Sequence, residues 1–232
     1  MDAIFAGLRL ADTHCDLYRN IVSLRSQEDQ YDDLSANPND WQQAIELELQ
    51  TQPATYLSKT PIIHRPFEEA AWEEAIGFPF RGWSRSRYSD GSFGAWYGSD
   101  TLETTIHETV YHWRNCLLAD AGFNEAGITI ERRVHLVRCD AALIDLRDRV
   151  TQHSMLVSQN DYTFTQQVGA RLHREGHPGL VTTSARYAGE VYAVFNSAVL
   201  SNPRPNCYLT YTTTEDGVDV ERTPGELLFS IH

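Results

Sequence analysis

The chain has 232 residues, 41% of them hydrophobic and 22% charged, which suits a single domain spanning 1–232 with an ordinary globular core. Its 32 acidic side chains outnumber 19 basic ones, giving a formal charge of −13. Such a surface repels a polyanionic duplex, so nucleic acid is excluded as a direct partner while a basic protein partner stays open. No run approaches the roughly 18 apolar residues of a membrane helix.

The opening MDAIFAGLRLADTH has neither a basic n-region nor a sustained apolar h-region, so it does not read as a secretory signal and the expected location is the cytoplasm. Cys15, Cys116, Cys139 and Cys207 lie far apart, and in that compartment they read as reduced, mostly buried thiols. The N-terminal third reads as helical and irregular. Asn39 or Asp40 caps a helix running from Trp41 to Leu49, which stops before Pro53, and a second short helix covers Glu68 to Ile76. Asn37 to Asp40 and Ser84 to Gly94 read as loops. Arg81, Arg85 and Arg87 form a basic island in this acidic chain, either a solvated loop or part of a site.

The aromatic run Phe93 to Gly98 is a strand candidate. Asp100, with Glu103 three residues on, makes a capping-box pattern for a helix whose apolar stripe is Leu102, Ile106, Val110, Trp113 and Leu117. Glu108 falls about 200° around the wheel from the centre of that stripe. It is either a solvated surface glutamate or part of a face that lines a pocket. Beyond it, Val134 to Val137, Leu143 to Leu146, Gly179 to Thr182, Val191 to Phe195 and Tyr208 to Thr212 read as strands. A helix carrying Phe164, Val168 and Leu172 ends at Gly176-His177-Pro178-Gly179. Many short strands with few helices predict an α+β fold with a mixed or mainly antiparallel sheet, and the missing βαβ succession argues against a doubly wound one.

The common catalytic signatures are absent: no G-x-G-x-x-G, no G-x-x-x-x-G-K-[ST] and no G-x-S-x-G. His107 and His112 resemble a zincin pair, but they are five residues apart. That spacing turns them about 140° from each other on a helix, so no metal is expected. What remains is Arg87, Tyr97, Glu108 and Ser184, each of which on its own has a structural explanation as loop cation, core aromatic, surface acid and strand-end hydroxyl.

The order of these residues resembles a known family. The run SRYSDGSFGAWYGSDTLETTIHETVYH, residues 86–112, is similar to the first signature block of RES-domain proteins: an arginine turn, an aromatic strand, then a helix bearing a glutamate. GHPGLVTTSARYAGEVYAVF, residues 176–195, resembles the second block, with its serine-bearing strand. Asp161 to Gly169 is similar to the helix before that block, and Tyr18-Arg19 to an arginine site near the family's N-terminus. Two positions depart from the pattern: Tyr88 stands where Trp or Phe is usual, and Thr183 where a proline often precedes the serine. The second departure leaves Thr163 or Gln166 as rivals to Ser184 for the fourth polar contact.

The resemblance implies an ADP-ribosyltransferase-like fold: a split β-core, surrounding helices and a cleft that binds NAD⁺ as substrate. It also implies a bacterial toxin that degrades NAD⁺ and is held inactive by an Xre-like antitoxin. On that reading Glu108 stabilises the oxocarbenium centre, Arg87 and Arg19 grip the pyrophosphate, Tyr97 offers a ring face to nicotinamide, and Ser184 positions the ribose or the incoming nucleophile. The alternatives are a protein ADP-ribosyltransferase and an inactive binding module. The acceptor, water or phosphate, and homo-oligomerisation stay open at this point.

Overall fold

Residues 2–23, 72–123 and 125–232 are described by a computed structural model. The expected helix after Asn39 and the loop at Asn37 to Asp40 lie outside them, as do residues 68–71 of the second expected helix. A short helix α1 (Asp2–Phe5) leads into β1 (Arg9–Val22), which corrects the helical and irregular reading of this stretch. Then come α2 (a π-helical Glu73–Gly77 continued by Phe78–Arg81), β2 (Trp96–Ser99) and α3 (Leu102–His112). The second half carries β3 (Thr129–Asp145), α4 (Thr163–Arg174), β4 (Gly179–Thr183), β5 (Glu190–Val194), β6 (Leu200–Thr213), β7 (Val218–Thr223) and β8 (Glu226–Ile231). The two strands expected at Val134 and Leu143 are one continuous strand, β3. No helix among the described residues is long and apolar enough to cross a membrane.

The fold is α+β, as expected. Eight strands form one sheet in the order β1-β2-β5-β4-β3-β6-β7-β8, and β1 also pairs with β3, so five strands close on themselves. Every pairing is antiparallel except β3 with β4. The closed part is stitched unevenly. β1 and β3 pair along fourteen positions, whereas β1 meets β2 only at Tyr18↔Ser99. The alternation of side chains along strands then sorts the core into layers. Leu17, Trp96, Val137, Leu143 and Val181 pack inside against Ala75 and Ile76 of α2. Val168 and Leu172 of α4 pack outside on Leu180 and Ala193, and Ile106 and Val110 of α3, with Trp113 just after it, cover Val134, Leu209 and Tyr211.

Helix α3 shows where a sequence pattern and the backbone part company. Its cap is Thr101, not Asp100: the Thr101 hydroxyl accepts from the Thr104 amide at 3.1 Å, while the Asp100 amide stays bonded to the Glu190 carbonyl. The helix then loosens into a π-helical turn over Trp113–Leu118. The wider turn rotates Leu117 off the stripe, and it is 60% exposed, whereas Ile106, Val110 and Trp113 are buried.

One buried group makes the core sensitive to acid. His135 of β3 lies directly opposite Arg19 of β1, is fully buried, and neither ring nitrogen has a hydrogen-bond partner among the described residues. The nearest carboxylate oxygen, on Glu74, is 3.9 Å away. Burial first, then the positive charges of Arg133 and Arg19, push its pKa from 6.5 down to about 4. The unfolded chain therefore takes up a proton between these two values that the folded chain refuses. The His135 contribution to stability is complete above pH 6.5 and is lost as pH falls toward 4. Urea unfolding of wild type and His135→Leu across pH 4–7 should diverge by that slope, and parallel curves would refute it.

Candidate active site

Because β1 and β2 touch at one residue pair, the sheet opens beside α3, and a cleft of about 710 Å³ occupies the gap. Arg19, Arg87, Tyr97 and Glu108 all line it, as do the rival residues Thr163 and Gln166. Ser184 does not line it. The cleft thus gathers four of the five sequence-predicted residues from β1, the 84–95 loop, β2 and α3.

Glu108 projects from α3 on the side away from the buried stripe, and its Oε1 accepts a hydrogen bond from Ser184 Oγ at 2.6 Å. The Ser184 oxygen in turn accepts from the amides of Arg186 at 3.0 Å and Tyr187 at 3.1 Å. With two amides donating to it, the hydroxyl has its own proton to give, and that proton goes to Glu108. Ser184 therefore orients the carboxylate, and it reaches the cleft through Glu108 without lining the cavity itself. Its loop is held close to α3 by Gly189, where a Cβ would lie 2.0 Å from Thr104 Oγ1.

Tyr97 offers its ring, not its hydroxyl. The phenol oxygen accepts from the Tyr88 amide at 2.8 Å and bonds Ser86 Oγ at 2.8 Å, and burial pushes its pKa up to about 12. The phenol therefore stays protonated at neutral pH. Gln166 continues the chain of bonds: its Nε2 donates to the Ser86 carbonyl at 2.9 Å and its Oε1 accepts from Arg85 Nη2 at 3.3 Å. Helix α4 comes this near the loop only because residue 169 is glycine, since a Cβ there would sit 1.9 Å from the Tyr88 carbonyl.

Arg87 is only 7% exposed. Its Nη1 donates to the Ser158 carbonyl at 2.8 Å and its guanidinium lies 4.5 Å over the ring of Tyr162, while Nη2 is buried without a partner among the described residues. One prong of the guanidinium thus braces the 158–162 wall. Arg19 Nη1 donates to the Tyr97 carbonyl at 2.9 Å, and its Nε is buried and unbonded. Burial, then Arg132, lower its pKa to about 10, so it remains a cation at neutral pH. Among the described residues Arg19, Arg85 and Arg87 form no ion pair with a carboxylate.

Three contributors were not legible. Tyr162 and Asn160 sit in a loop with no periodicity, and His112, considered only as a metal ligand, lines the cleft one helical turn beyond Glu108. His107 lies elsewhere, stacked on Tyr187 with ring centroids 4.4 Å apart. No group of three or more metal-ligating side chains occurs among the described residues.

A family model of the RES domain matches residues 62–214. No curated protein matches. Among solved structures, the chain is similar to the crystal structure of the M. tuberculosis MbcT–MbcA toxin–antitoxin complex, at 11% identity and a TM-score of 0.44, covering 93% of this chain and 92% of that one.

The Ser184 geometry makes a stability prediction. Ser184→Ala strips two amides and one carboxylate oxygen of their shared partner, which costs on the order of 1–3 kcal/mol. A denaturant midpoint unchanged from wild type would show that the hydroxyl holds nothing in place.

Proposed function

The chain belongs to the RES-domain family, and on that premise we propose that it is the toxin of a toxin–antitoxin pair, depleting NAD⁺ by cleaving the nicotinamide–ribose bond. One observation supports the reading: an oriented carboxylate, Glu108, shares a cleft with guanidiniums that have no carboxylate partner among the described residues. A buried guanidinium nitrogen without a partner is costly, and a diphosphate supplies what Arg19 Nε and Arg87 Nη2 lack among the described residues, with the exposed Arg85 adding a third cation at the rim.

The chemistry suits this set. Nicotinamide leaves NAD⁺ as a neutral molecule, so no strong general acid is needed to expel it. The electron pair of the breaking bond goes to the pyridinium nitrogen, and positive charge develops on the ribose. Glu108, locked by Ser184, meets that charge without reorganising. The Tyr97 ring gives the nicotinamide a flat wall. The ADP-ribosyl group then passes to a small acceptor, water or inorganic phosphate. As the family resemblance implies, an Xre-like antitoxin would hold the enzyme inactive, and both act in the cytoplasm of a bacterium.

Expression without an antitoxin should arrest growth and lower cellular NAD⁺; normal growth with unchanged NAD⁺ and soluble protein would favour a binding module. On purified protein, Glu108→Gln should lower kcat by about 10²–10³, the usual cost of one lost transition-state stabiliser. Arg87→Lys keeps the charge and removes the prong, so it should act mainly on KM, by roughly tenfold or more. A folded Glu108→Gln enzyme with wild-type kcat would remove the carboxylate from the mechanism. Label from NAD⁺ found on protein would identify a transferase instead.

A further inference from the structure

Attack by water on a ribosyl centre releases a proton, and none of the residues given a role above is placed to take it. Tyr97 and Ser184 are committed to fixed hydrogen bonds, and Glu108 is committed to the developing charge. His112 is not committed. It lies four residues after Glu108 on α3, so the two side chains share one helix face about 5–6 Å apart. Both line the cleft. His112 is also exposed, which gives a proton a route to solvent. Its Nδ1 lies 3.9 Å from Cys116 Sγ, and Nε2 has no partner among the described residues.

We propose that His112 is a catalytic residue, the general base that deprotonates water as it attacks the ribose. The inference rests on the reading of this cleft as an NAD⁺-cleaving site. With the Nδ1 proton turned toward Cys116, Nε2 presents its lone pair. The water O–H bond breaks and its proton goes to Nε2, while the water oxygen forms a bond to the anomeric carbon. The bond from that carbon to nicotinamide breaks, its electron pair neutralising the pyridinium. The products are ADP-ribose, nicotinamide and a proton that His112 hands to solvent.

The surroundings keep the imidazole in the form a base requires. The cleft walls partly desolvate the ring and lower its pKa below 6.5; Arg87 of the 84–95 loop, Arg186 after β4 and Arg132 of β3 push the same way, and Glu108 alone opposes them. Tyr111 meets the ring edge-on at 6.0 Å. The imidazole is therefore neutral at pH 7, with the acid limb of activity lying below 6.5.

The test is steady-state nicotinamide release by the purified protein from pH 5 to 8 in phosphate-free buffer, with products identified. Wild type should form ADP-ribose, with kcat rising to a plateau as pH passes the His112 pKa. His112→Gln and His112→Asn should lower kcat by about 10²–10⁴ and abolish the rising limb. KM should stay within about threefold of wild type. Adding inorganic phosphate should restore turnover to both variants as ADP-ribose phosphate, because a dianion attacks without being deprotonated. Folded variants that keep the wild-type kcat and limb overturn the proposal, as does a wild type that turns over only when phosphate is present. A wild type that never cleaves NAD⁺ refutes the function itself.

Discussion

The site exists because two strands barely meet. β1 pairs with β3 along its whole length but with β2 only at Tyr18↔Ser99, so a sheet that otherwise closes is left with an open seam. An open seam strands backbone groups that must find other partners. Arg19 supplies one, donating to the Tyr97 carbonyl, and Asn20 next to it ties β1 to Thr109 on α3 and to Tyr211 on β6. The same seam that requires a side chain to bond Tyr97 thereby brings a cation to the edge of the cleft. Arg132, donating to the side-chain and backbone carbonyl oxygens of Asn20, holds the arrangement from behind.

Charge is distributed against the grain of the chain. The protein carries −13 overall, yet three arginines line the cleft against the carboxylates of Glu108 and Asp161. Arginine is the side chain suited to this, because its planar fork can spend one nitrogen on a carbonyl and keep another in reserve. Arg87 does so with Nη1 on Ser158 and Arg19 with Nη1 on Tyr97, while Arg87 Nη2 and Arg19 Nε have no partner among the described residues. Lysine in either place would give up this division. The acidic exterior leaves the cleft as a local well for an anion, reached across a surface that discourages nucleic acid.

How far the sequence revealed this depended on what kind of signal each part carries. Helix α3 was legible because a 3.6-residue stripe buries Ile106, Val110 and Trp113, and the same arithmetic turned Glu108 away from them. It failed at Leu117, since no pattern announces a π-helical turn. β1 was hidden because its outward positions are polar, as at His14 and Asp16, and the alternation reads as irregular chain until β3 is beside it. β3 looked like two strands because Arg138, Asp140 and Ala142 break its apolar run on the exposed face. For the site, ordered motifs picked out Arg87, Tyr97 and Glu108, whereas the second role of Arg87 and the whole of Tyr162 depend on a loop 70 residues away. Such long-range pairings leave no local trace.

The walls of the cleft are held by polar side chains reaching backbone more than by packing. Arg85 bonds Gln166, Gln166 bonds the Ser86 carbonyl, and Ser86 Oγ meets the Tyr97 hydroxyl that already holds the Tyr88 amide. Tyr111 bonds Asn160 and Arg186 bonds the Gln159 carbonyl, so the 158–162 wall is tied to α3 and to the Ser184 loop as well. Each bond here is directional, and each partner is saturated by the next. A set of walls built this way resists small displacements that an apolar wall would tolerate, because moving one group unpairs its neighbour in a poorly solvated place. That is the condition under which a single carboxylate can matter. Glu108 stabilises a developing charge only if it is already where the charge appears, and the chain from Arg186 and Tyr187 through Ser184 fixes it there before any ligand enters.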